Sequence, residues 1–348
     1  MELSAKVAVV IPAYNARSTL TQTVESVLCQ TLDAIEVWIV DDGSSDGTDI
    51  VAGELAEKDC RINVIHQMNS GAFHARLGVL SKIKAEYVGF VDADDTIEPC
   101  MYEKLYNYAK AYDLDAVEFD IHRACDKELL YTTREDIIDQ IVRPVFFVGK
   151  GFPSVCNKIF RRTSITLERC SAYLRTLNGR RLNAFEDILL NLIFFINVNR
   201  YGRITGRYYN YIANPASTTR KFNLDNLEAF RLVIAGRRFF AQMYLIEIHD
   251  PLFPVWVVHN ARNLLGLAVA SSADGVSQML SWVKEIIALP EVREAMDLCR
   301  HDVWSAENIS YYDDFILIGR VMRWPRLYCA YCEFKRLVKA TVKWLGLK

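Results

Sequence analysis

Val88-Gly-Phe-Val-Asp92-Ala-Asp94-Asp95 is the most informative stretch of this chain, because an apolar run leads directly into three aspartates. The apolar residues predict a strand that is buried on both faces. Carboxylates clustered at the end of a buried strand are unfavourable unless a cation lies beside them. The spacing of Asp92 and Asp94 suits one hard divalent ion, which is most useful beside a diphosphate. The other interpretation is an Asp-rich turn in which Asp95 caps the next helix.

The composition is that of a folded protein without the charge excess of a nucleic-acid-binding one. The chain has 348 residues, is 51% hydrophobic and carries a formal net charge of -2. Its nine cysteines include one Cys-x-x-Cys pair, Cys329 and Cys332, with no second pair or histidine cluster to complete a zinc site. An odd number of scattered cysteines favours reduced thiols and a cytoplasmic location.

No segment has the pattern of a signal peptide or a membrane-spanning helix. Residues 1–6 lead directly into the first predicted strand. The longest uncharged runs, such as 188–199, are about a dozen residues long, whereas a spanning helix needs about 20. We therefore expect a cytoplasmic protein that is soluble or bound peripherally to the inner face of the plasma membrane.

The first 120 residues alternate apolar strands with helices. Strands are predicted at Val7–Ile11, Ile35–Val40, Ile62–His66 and Tyr87–Val91, and helices at Ala16–Gln30, Thr48–Lys58 and Ala72–Lys84. This alternation predicts a parallel sheet that is covered by helices on both faces.

A polar cluster follows each of these strands, at Pro12–Asn15, Asp41–Asp42, Asn69–Gly71 and Asp92–Asp95. Because open α/β sheets bind ligands at the carboxyl ends of their strands, we expect the four clusters to form one site. The sequence has no glycine-rich loop whose backbone N–H groups could cradle a diphosphate. The pattern therefore favours a nucleoside diphosphate bound through carboxylates, a metal ion and cationic side chains.

These motifs resemble those of inverting family 2 glycosyltransferases with a GT-A fold, of the bacterial surface-polysaccharide or lipooligosaccharide type. The matching segments are Val9–Asn15, Ser26–Thr31, Val40–Thr48, Gly71–Arg76, Tyr87–Thr96 and Met101–Tyr106, with weaker matches at Cys156–Phe160 and Phe185–Asp187. The resemblance implies an α/β fold with a mixed, mostly parallel sheet flanked by helices, and a C-terminal helical appendage. Leu77 stands where family members commonly have Asn, which could alter the donor preference but removes no metal ligand.

The resemblance also implies a nucleotide-sugar site made of Pro12, Ala13, Tyr14, Asn15, Asp41, Asp42, Arg76, Asp92 and Ala93. Tyr14 would lie against the nucleobase, and either Asp41 or Asp42 would hydrogen-bond the uracil edge or the ribose. Arg76 would help to neutralise the diphosphate. Asp94, together with Asp92, would bind Mn²⁺ or Mg²⁺, a Lewis acid for the departing diphosphate. The alternative for Tyr14 and Arg76 is a packing aromatic and a surface cation.

An inverting transfer also needs a base that removes the proton of the acceptor hydroxyl. Glu186 and Asp187 precede an apolar run, where burial can raise a carboxyl pKa and a helix N-terminus favours the anion. The resemblance assigns the base to Asp187, with Glu186 beside it. The alternative is that both acids merely occupy the first turn of a helix.

The chain is expected to consist of a catalytic domain, 1–215, and a helical region, 216–348. The resemblance divides the first into a nucleotide-sugar half, 1–120, and an acceptor or catalytic half, 121–215. The tail, 320–348, holds eight Lys or Arg residues and one acid. A basic amphipathic helix suits an anionic membrane surface, and the alternative is a tail that packs on the body.

The predicted function is therefore metal-dependent, inverting transfer of a hexosyl or N-acetylhexosaminyl group. The donor would be a nucleoside-diphosphate sugar, a UDP-sugar by the resemblance, and the acceptor a hydroxyl of a glycan or lipid-linked molecule. Two alternatives stay open. A nucleotidyltransferase should show a glycine- and arginine-rich loop, which residues 10–20 lack, and a non-catalytic sugar-nucleotide-binding protein would be expected to lose the metal aspartates.

Overall fold

The computed structural model describes residues 5–120, 127–148, 153–177, 179–182, 184–212, 222–244, 252–272, 276–299, 312–332 and 335. The chain divides into two compact units, Met1–Asn214 and Pro215–Lys348. Part of the tail, 336–348, lies outside the described residues.

Within its described residues, the first unit is built on a mixed sheet of eight strands. These strands are β1 (Val7–Ala13), β2 (Ile35–Asp41), β3 (Ile62–His66), β4 (Tyr87–Phe90), β6 (Ala116–Phe119), β7 (Leu129–Tyr131), β8 (Lys158–Arg161) and β9 (Tyr201–Ile204), and the two short strands β5 (Thr96–Ile97) and β10 (Tyr209–Asn210) pair separately. The order across the sheet is β3-β2-β1-β4-β8-β6-β9-β7. Neighbouring strands from β3 to β4 are parallel, and β8 runs antiparallel to both β4 and β6. The predicted mixed, mostly parallel sheet is confirmed.

The central strands are apolar because helices cover the sheet. Every residue of Val7–Ile11 is completely buried, and so are Tyr87, Val88 and Phe90 in β4. The helices of this unit are α1 (Leu20–Leu28), α2 (Thr48–Lys58), α3 (Ala72–Gly78), α4 (Met101–Ala111), α5 (Arg134–Ile137), α6 (Leu167–Leu177) and α7 (Glu186–Phe194), with a π-helical segment at Ile138–Val148 and short 3₁₀ turns at Arg162–Ser164 and Phe195–Asn197.

Two predicted helix boundaries are wrong. The third helix was expected to reach Lys84, but α3 ends at Gly78 and two turns follow, in which Lys82 N–H donates to Val79 O. The apolar side chains beyond Gly78 remain buried, so the sequence keeps a helical hydrophobic pattern after the helix has ended. The first helix begins at Leu20 rather than Ala16, whose N–H donates to Oγ1 of Thr48, the first residue of α2.

The second unit is helical over its described residues, as predicted. Its helices are α8 (Leu224–Met243), α9 (Leu252–Ser271), α10 (Val276–Ala288), α11 (Pro290–Leu298) and α12 (Tyr312–Arg323), and residues 325–332 are also helical. Helix α8 starts with a capping box, in which the side chains of Asn223 and Asn226 each accept the other's backbone N–H. None of the helices in the described ranges is both long enough and apolar enough to cross a bilayer.

Close packing of β4 against α4 yields a stability prediction for Gly89. A Cβ atom there would lie 2.6 Å from Cε1 of the fully buried Tyr102. We expect Gly89→Ala to lower the free energy of unfolding by about 1–3 kcal/mol, because an overpacked core must shift. Gly53→Ala in α2 is the matched control, since nothing lies within 4 Å of its added methyl group. It should raise stability by up to about 1 kcal/mol. Equal effects of the two changes in urea unfolding would contradict this packing.

Candidate functional site

Three strand ends form one continuous row at the edge of the sheet. Ala13 of β1 pairs with Asp41 of β2, which pairs in turn with His66 of β3. Asp92 follows the parallel strand β4, next to β1. The residues predicted for one site therefore emerge from adjacent strands at the same edge.

The loop after β1 is clamped to the loop after β2. Asn15 N–H donates to Ser44 Oγ (3.0 Å), and Asn15 Oδ1 accepts from Ser45 N–H (2.9 Å). Asn15 has a φ of 51°, a left-handed conformation that asparagine tolerates well. The preceding residue, Tyr14, is 51% exposed. The clamp thus holds an exposed aromatic ring at the sheet edge, where a planar group could stack on it.

Asp41, which ends β2, and Asp42, which follows it, are buried and already hydrogen-bonded. Asp42 accepts from Gln67 Nε2 (2.7 Å), from Ser70 N–H (2.8 Å) and from Gly71 N–H (2.7 Å). It therefore holds the loop that leads into α3. Asp41 accepts from Ser44 N–H and contacts His66 Nδ1. Of the two carboxylates, only Asp41 connects to an exposed side chain.

Arg76 on α3 is the centre of the site. Its side chain is only 3% exposed and lies against three carboxylates among the described residues. Nη2 donates to Asp92 Oδ1 (2.6 Å), while Nη1 lies 3.3 Å from Glu186 Oε1 and 3.8 Å from Asp187 Oδ1. Burial alone would lower the pKa of Arg76, but the charges of these acids raise it well above its ordinary value. Arg76, the predicted partner of the diphosphate, is thus a buried cation that connects Asp92 at the strand end with the acids of α7.

The environment of Asp187 shifts the pKa of its carboxyl group upward. Burial raises its pKa to about 7, although the positive charge of Arg76 acts in the opposite direction. Its side chain is still 31% exposed, and its Oδ1 has no hydrogen-bond partner in the described part of the chain. Asn191, one turn further along α7, donates to Asp187 O (2.8 Å) and Pro153 O (2.6 Å), which fixes the start of the helix.

A second buried cation, Lys158, lies at the start of β8 within the weaker matching segment. Its Nζ donates to Ser154 O (2.6 Å) and Asn157 Oδ1 (2.7 Å) and lies 3.1 Å from Glu118 Oε2. Its positive charge, like that of Arg76, opposes the rise in the pKa of Asp187 that burial causes. The sequence singled out the segment but gave no role to its lysine.

Tyr209, which the sequence analysis did not identify, holds the turn formed by residues 92–95 through hydrogen bonds of its hydroxyl group. Its hydroxyl donates to Asp95 Oδ2 (2.8 Å) and accepts from Asp92 N–H (3.1 Å), while Ile212 N–H donates to Asp95 Oδ1 (2.8 Å). Asp95 therefore does not cap α4, whose N-cap is Cys100, and the capping interpretation is wrong. No local signal marks Tyr209, because it lies more than a hundred positions away from this turn.

Asp92 and Asp94 could supply part of a metal site. Within the described ranges, no group of three or more His, Cys, Asp or Glu side chains is arranged to hold an ion. The Asp92 side chain is 38% exposed, and its Oδ1 accepts a hydrogen bond from Arg76 Nη2. Two carboxylate groups fit Mn²⁺ or Mg²⁺ if diphosphate and water complete the coordination. Mg²⁺ is commonly bound in proteins by one or two carboxylates together with substrate phosphates and water.

Comparisons with known proteins identify the family and the fold. Residues 8–167 match the family described as Glycosyl transferase family 2. The Bacillus subtilis protein named "Putative glycosyltransferase EpsH" is 33% identical over 298 residues, which cover 83% of this chain and 85% of that protein. "Uncharacterized glycosyltransferase EpsJ", also from B. subtilis, is 26% identical and covers 94% of this chain and 92% of its own. The structure of S. aureus TarS 1-349 in complex with UDP-GlcNAc superimposes with a TM-score of 0.56 over 92% of both chains at 18% identity, which shows the fold alone.

The ion pairs of Arg76 predict a pH-dependent loss of stability. Arg76→Met should lower the free energy of unfolding by about 3–5 kcal/mol at pH 8, because partly buried carboxylates are left without their cation. The pKa of Asp187 is raised from 3.8 to about 7, so the group's stabilising contribution is complete below pH 3.8 and is lost as pH rises through about 7. Removing the positive charge of Arg76 should raise the pKa of Asp187 further, so the stability lost between low and high pH should increase. The substitution should therefore lower the free energy of unfolding less at pH 5 than at pH 8.

Urea unfolding at both pH values measures the effect, with Arg61→Met as the matched control. Arg61 forms a partly exposed pair with Asp59 at 2.8 Å and should contribute at most about 1 kcal/mol. A cost of Arg76→Met that is equally small would contradict the central role of this guanidinium.

Proposed function

The chain belongs to glycosyl transferase family 2, and on that premise we propose that it transfers a sugar from a nucleoside-diphosphate donor to an acceptor hydroxyl with inversion. The observation that carries this proposal is the set of acids around Arg76. One of them, Asp92, follows a strand beside the proposed nucleotide site, and the others, Glu186 and Asp187, begin a helix. A displacement reaction requires such an arrangement, with leaving-group stabilisation on one side and a base on the other.

The donor would lie along the row of strand ends. We assign Tyr14 to the nucleobase face, with Pro12, Ala13 and Asn15 shaping that pocket. Asp41 is assigned to the nucleoside rather than Asp42, because the carboxylate of Asp42 holds the loop before α3.

The diphosphate end of the donor is assigned to Asp92, Ala93 and Asp94. Asp94 and Asp92 would hold Mn²⁺ or Mg²⁺, which when bound supplies a Lewis acid for the departing diphosphate. Arg76 adds positive charge close to this point, although its own hydrogen bonds go to protein carboxylates.

Asp187 is the proposed base. The acceptor oxygen would attack the anomeric carbon as the bond from that carbon to the diphosphate oxygen breaks, the nucleoside diphosphate leaves with the bonding electrons, and the hydroxyl proton passes to the Asp187 carboxylate. A pKa of about 7 leaves a substantial carboxylate fraction at neutral pH and makes the group a stronger base than an ordinary aspartate. Glu186 is less suited, because its Oε1 accepts from Arg76 Nη1.

The finer identity of the substrates follows from resemblance. We propose a UDP-sugar carrying a hexosyl or N-acetylhexosaminyl group, and a glycan or lipid-linked acceptor in surface polysaccharide or lipooligosaccharide synthesis. TarS, which shares the fold, was crystallised with UDP-GlcNAc. Family membership argues against the nucleotidyltransferase alternative, and a turnover assay separates an enzyme from a non-catalytic binding protein.

The described part of the tail supports peripheral membrane binding. One side of α12 and residues 325–332 packs inward through Ile318, Val321 and Cys329. The exposed side chains of this part of the tail include Trp324, Leu327 and Tyr331 together with Arg320, Arg323, Arg326 and Lys335. Exposed apolar side chains among cations suit an anionic lipid surface. The predicted amphipathic residues beyond 335 lie outside the described residues.

Release of nucleoside diphosphate from a panel of nucleotide sugars tests the donor and the metal. We expect UDP release from a UDP-sugar in Mn²⁺, loss of that activity in EDTA, and a fall of about 10²-fold or more in Asp94→Ala. Asp49→Ala, at an exposed acid of α2, is the matched control and should retain full activity. Near-wild-type turnover of Asp94→Ala at saturating Mn²⁺ would exclude the metal role.

Separate measurements of turnover and donor affinity test the base. Asp187→Asn should lower kcat by about 10²-fold or more while the donor Kd changes little, because a base acts in the transition state. Wild-type kcat/KM, which reports ionisations of the free enzyme, should rise as pH increases through about 7, where Asp187 loses its proton. If Glu186→Gln lost turnover and Asp187→Asn did not, the base would be Glu186.

Cosedimentation with anionic vesicles tests the tail. We expect the full chain to bind and to dissociate as salt increases, since screening weakens surface attraction. Replacing Arg320, Arg323 and Arg326 with Gln should weaken binding by about 1 kcal/mol for each cation. Arg231→Gln, at an exposed arginine of α8, should have no effect. Equal binding by the triple variant and the wild type would contradict the proposal.

A further inference from the structure

We propose that His66 recognises the edge of the donor nucleobase through Nε2 of its ring. Asp41 keeps the ring proton on Nδ1, so Nε2 can accept a hydrogen bond from the base. The inference rests on the proposed function, because it deepens the assignment of the donor site. It names the class of base preferred there, one with an imide N–H such as uracil.

His66 occupies a distinctive position at the sheet edge. It is the last residue of β3 and pairs in register with Asp41, the last residue of β2. Asp41 pairs in turn with Ala13, directly before Tyr14. Adjacent strands are about 4.8 Å apart, so the row from β1 to β3 spans roughly 10 Å, enough for a nucleobase between Tyr14 and His66.

Burial differs sharply between the two members of the Asp41–His66 pair. The side chain of His66 is 56% exposed, whereas that of Asp41 is 5% exposed. Asp41 Oδ1 accepts from Ser44 N–H at 3.2 Å, and its Oδ2 lies 3.1 Å from His66 Nδ1. Asp42 is also buried and bonded to the loop before α3. A ligand at this edge therefore meets the imidazole more readily than either carboxylate.

The contact with Asp41 decides the tautomer of the ring. A carboxylate oxygen only accepts hydrogen bonds, so Nδ1 carries the proton and Nε2 of the neutral ring has a lone pair. The lone pair can accept from the imide N–H of uracil. Cytosine has a lone pair at the same ring position, which would oppose that of Nε2. His66 thus favours a uridine over a cytidine nucleotide.

Calorimetric titration of UDP and CDP in Mn²⁺ at pH 8 tests this assignment in the full-length protein. We expect the wild type to prefer UDP. In His66→Ala, UDP affinity should fall by about 2- to 10-fold, because one net hydrogen bond is lost, while CDP affinity should not fall, because the opposing lone pair is removed. His66→Phe, which keeps a ring but no nitrogen, should show the same loss of preference. Met68→Ala, at an exposed apolar neighbour in the same loop, should retain the wild-type ratio.

The ratio of the two affinities is the informative quantity, since a purely structural defect would weaken both nucleotides together. An unchanged UDP-to-CDP ratio in His66→Ala and His66→Phe would overturn the inference and leave the proposed function intact. A wild-type protein that binds no nucleoside diphosphate would overturn the proposed function and this inference with it.

Discussion

The arrangement of this site depends on one buried guanidinium. Arg76 is almost inaccessible, and a charge in that position is tolerable only with close partners. Its partners come from two parts of the chain, Asp92 after β4, 16 positions away, and the acids of α7, with Glu186 lying 110 positions away. The same ion pairs that stabilise the cation therefore bring a strand-end acid and the proposed base together. The burial that raises the pKa of Asp187 is offset in part by this charge, so the group is an ionisable base rather than a permanently neutral acid.

The loops around this centre are held by hydrogen bonds that do not involve a substrate. Asp42 fixes the loop before α3, Asn15 joins the first two loops, and Tyr209 holds the aspartate turn through Asp95. Such connections keep the polar groups in place before a donor arrives, which limits the reorganisation that catalysis would otherwise require. The polar side chains therefore fall into two groups. Asp42, Asn15 and Asp95 maintain the loops, whereas the exposed side chains of Tyr14 and His66 can contact a ligand.

Much of the fold was predictable because its signals are local. Apolar runs such as Val7–Ile11 predict buried strands, and the polar residues after them lie at one sheet edge by the geometry of parallel strands. The end of α3 was not predictable, because buried turns after Gly78 keep the hydrophobic spacing of a helix. The contacts of Arg76 with α7 and of Tyr209 with Asp95 join residues about 110 positions apart, and no spacing rule connects them. Resemblance suggested candidates for the donor site, but only the structure distinguishes Asp42, which holds a loop, from Asp41, which holds an exposed ring.

A double-mutant cycle of unfolding free energies at pH 8 tests the central claim most directly. Its two changes are Arg76→Met and the combined substitution Glu186→Gln/Asp187→Asn on α7. If the guanidinium holds these acids in the folded protein, Arg76→Met should be less destabilising once the acids are neutral, with a coupling of about 1–3 kcal/mol. Additive effects, within about 0.5 kcal/mol, would show that Arg76 and α7 are energetically independent and would contradict the account.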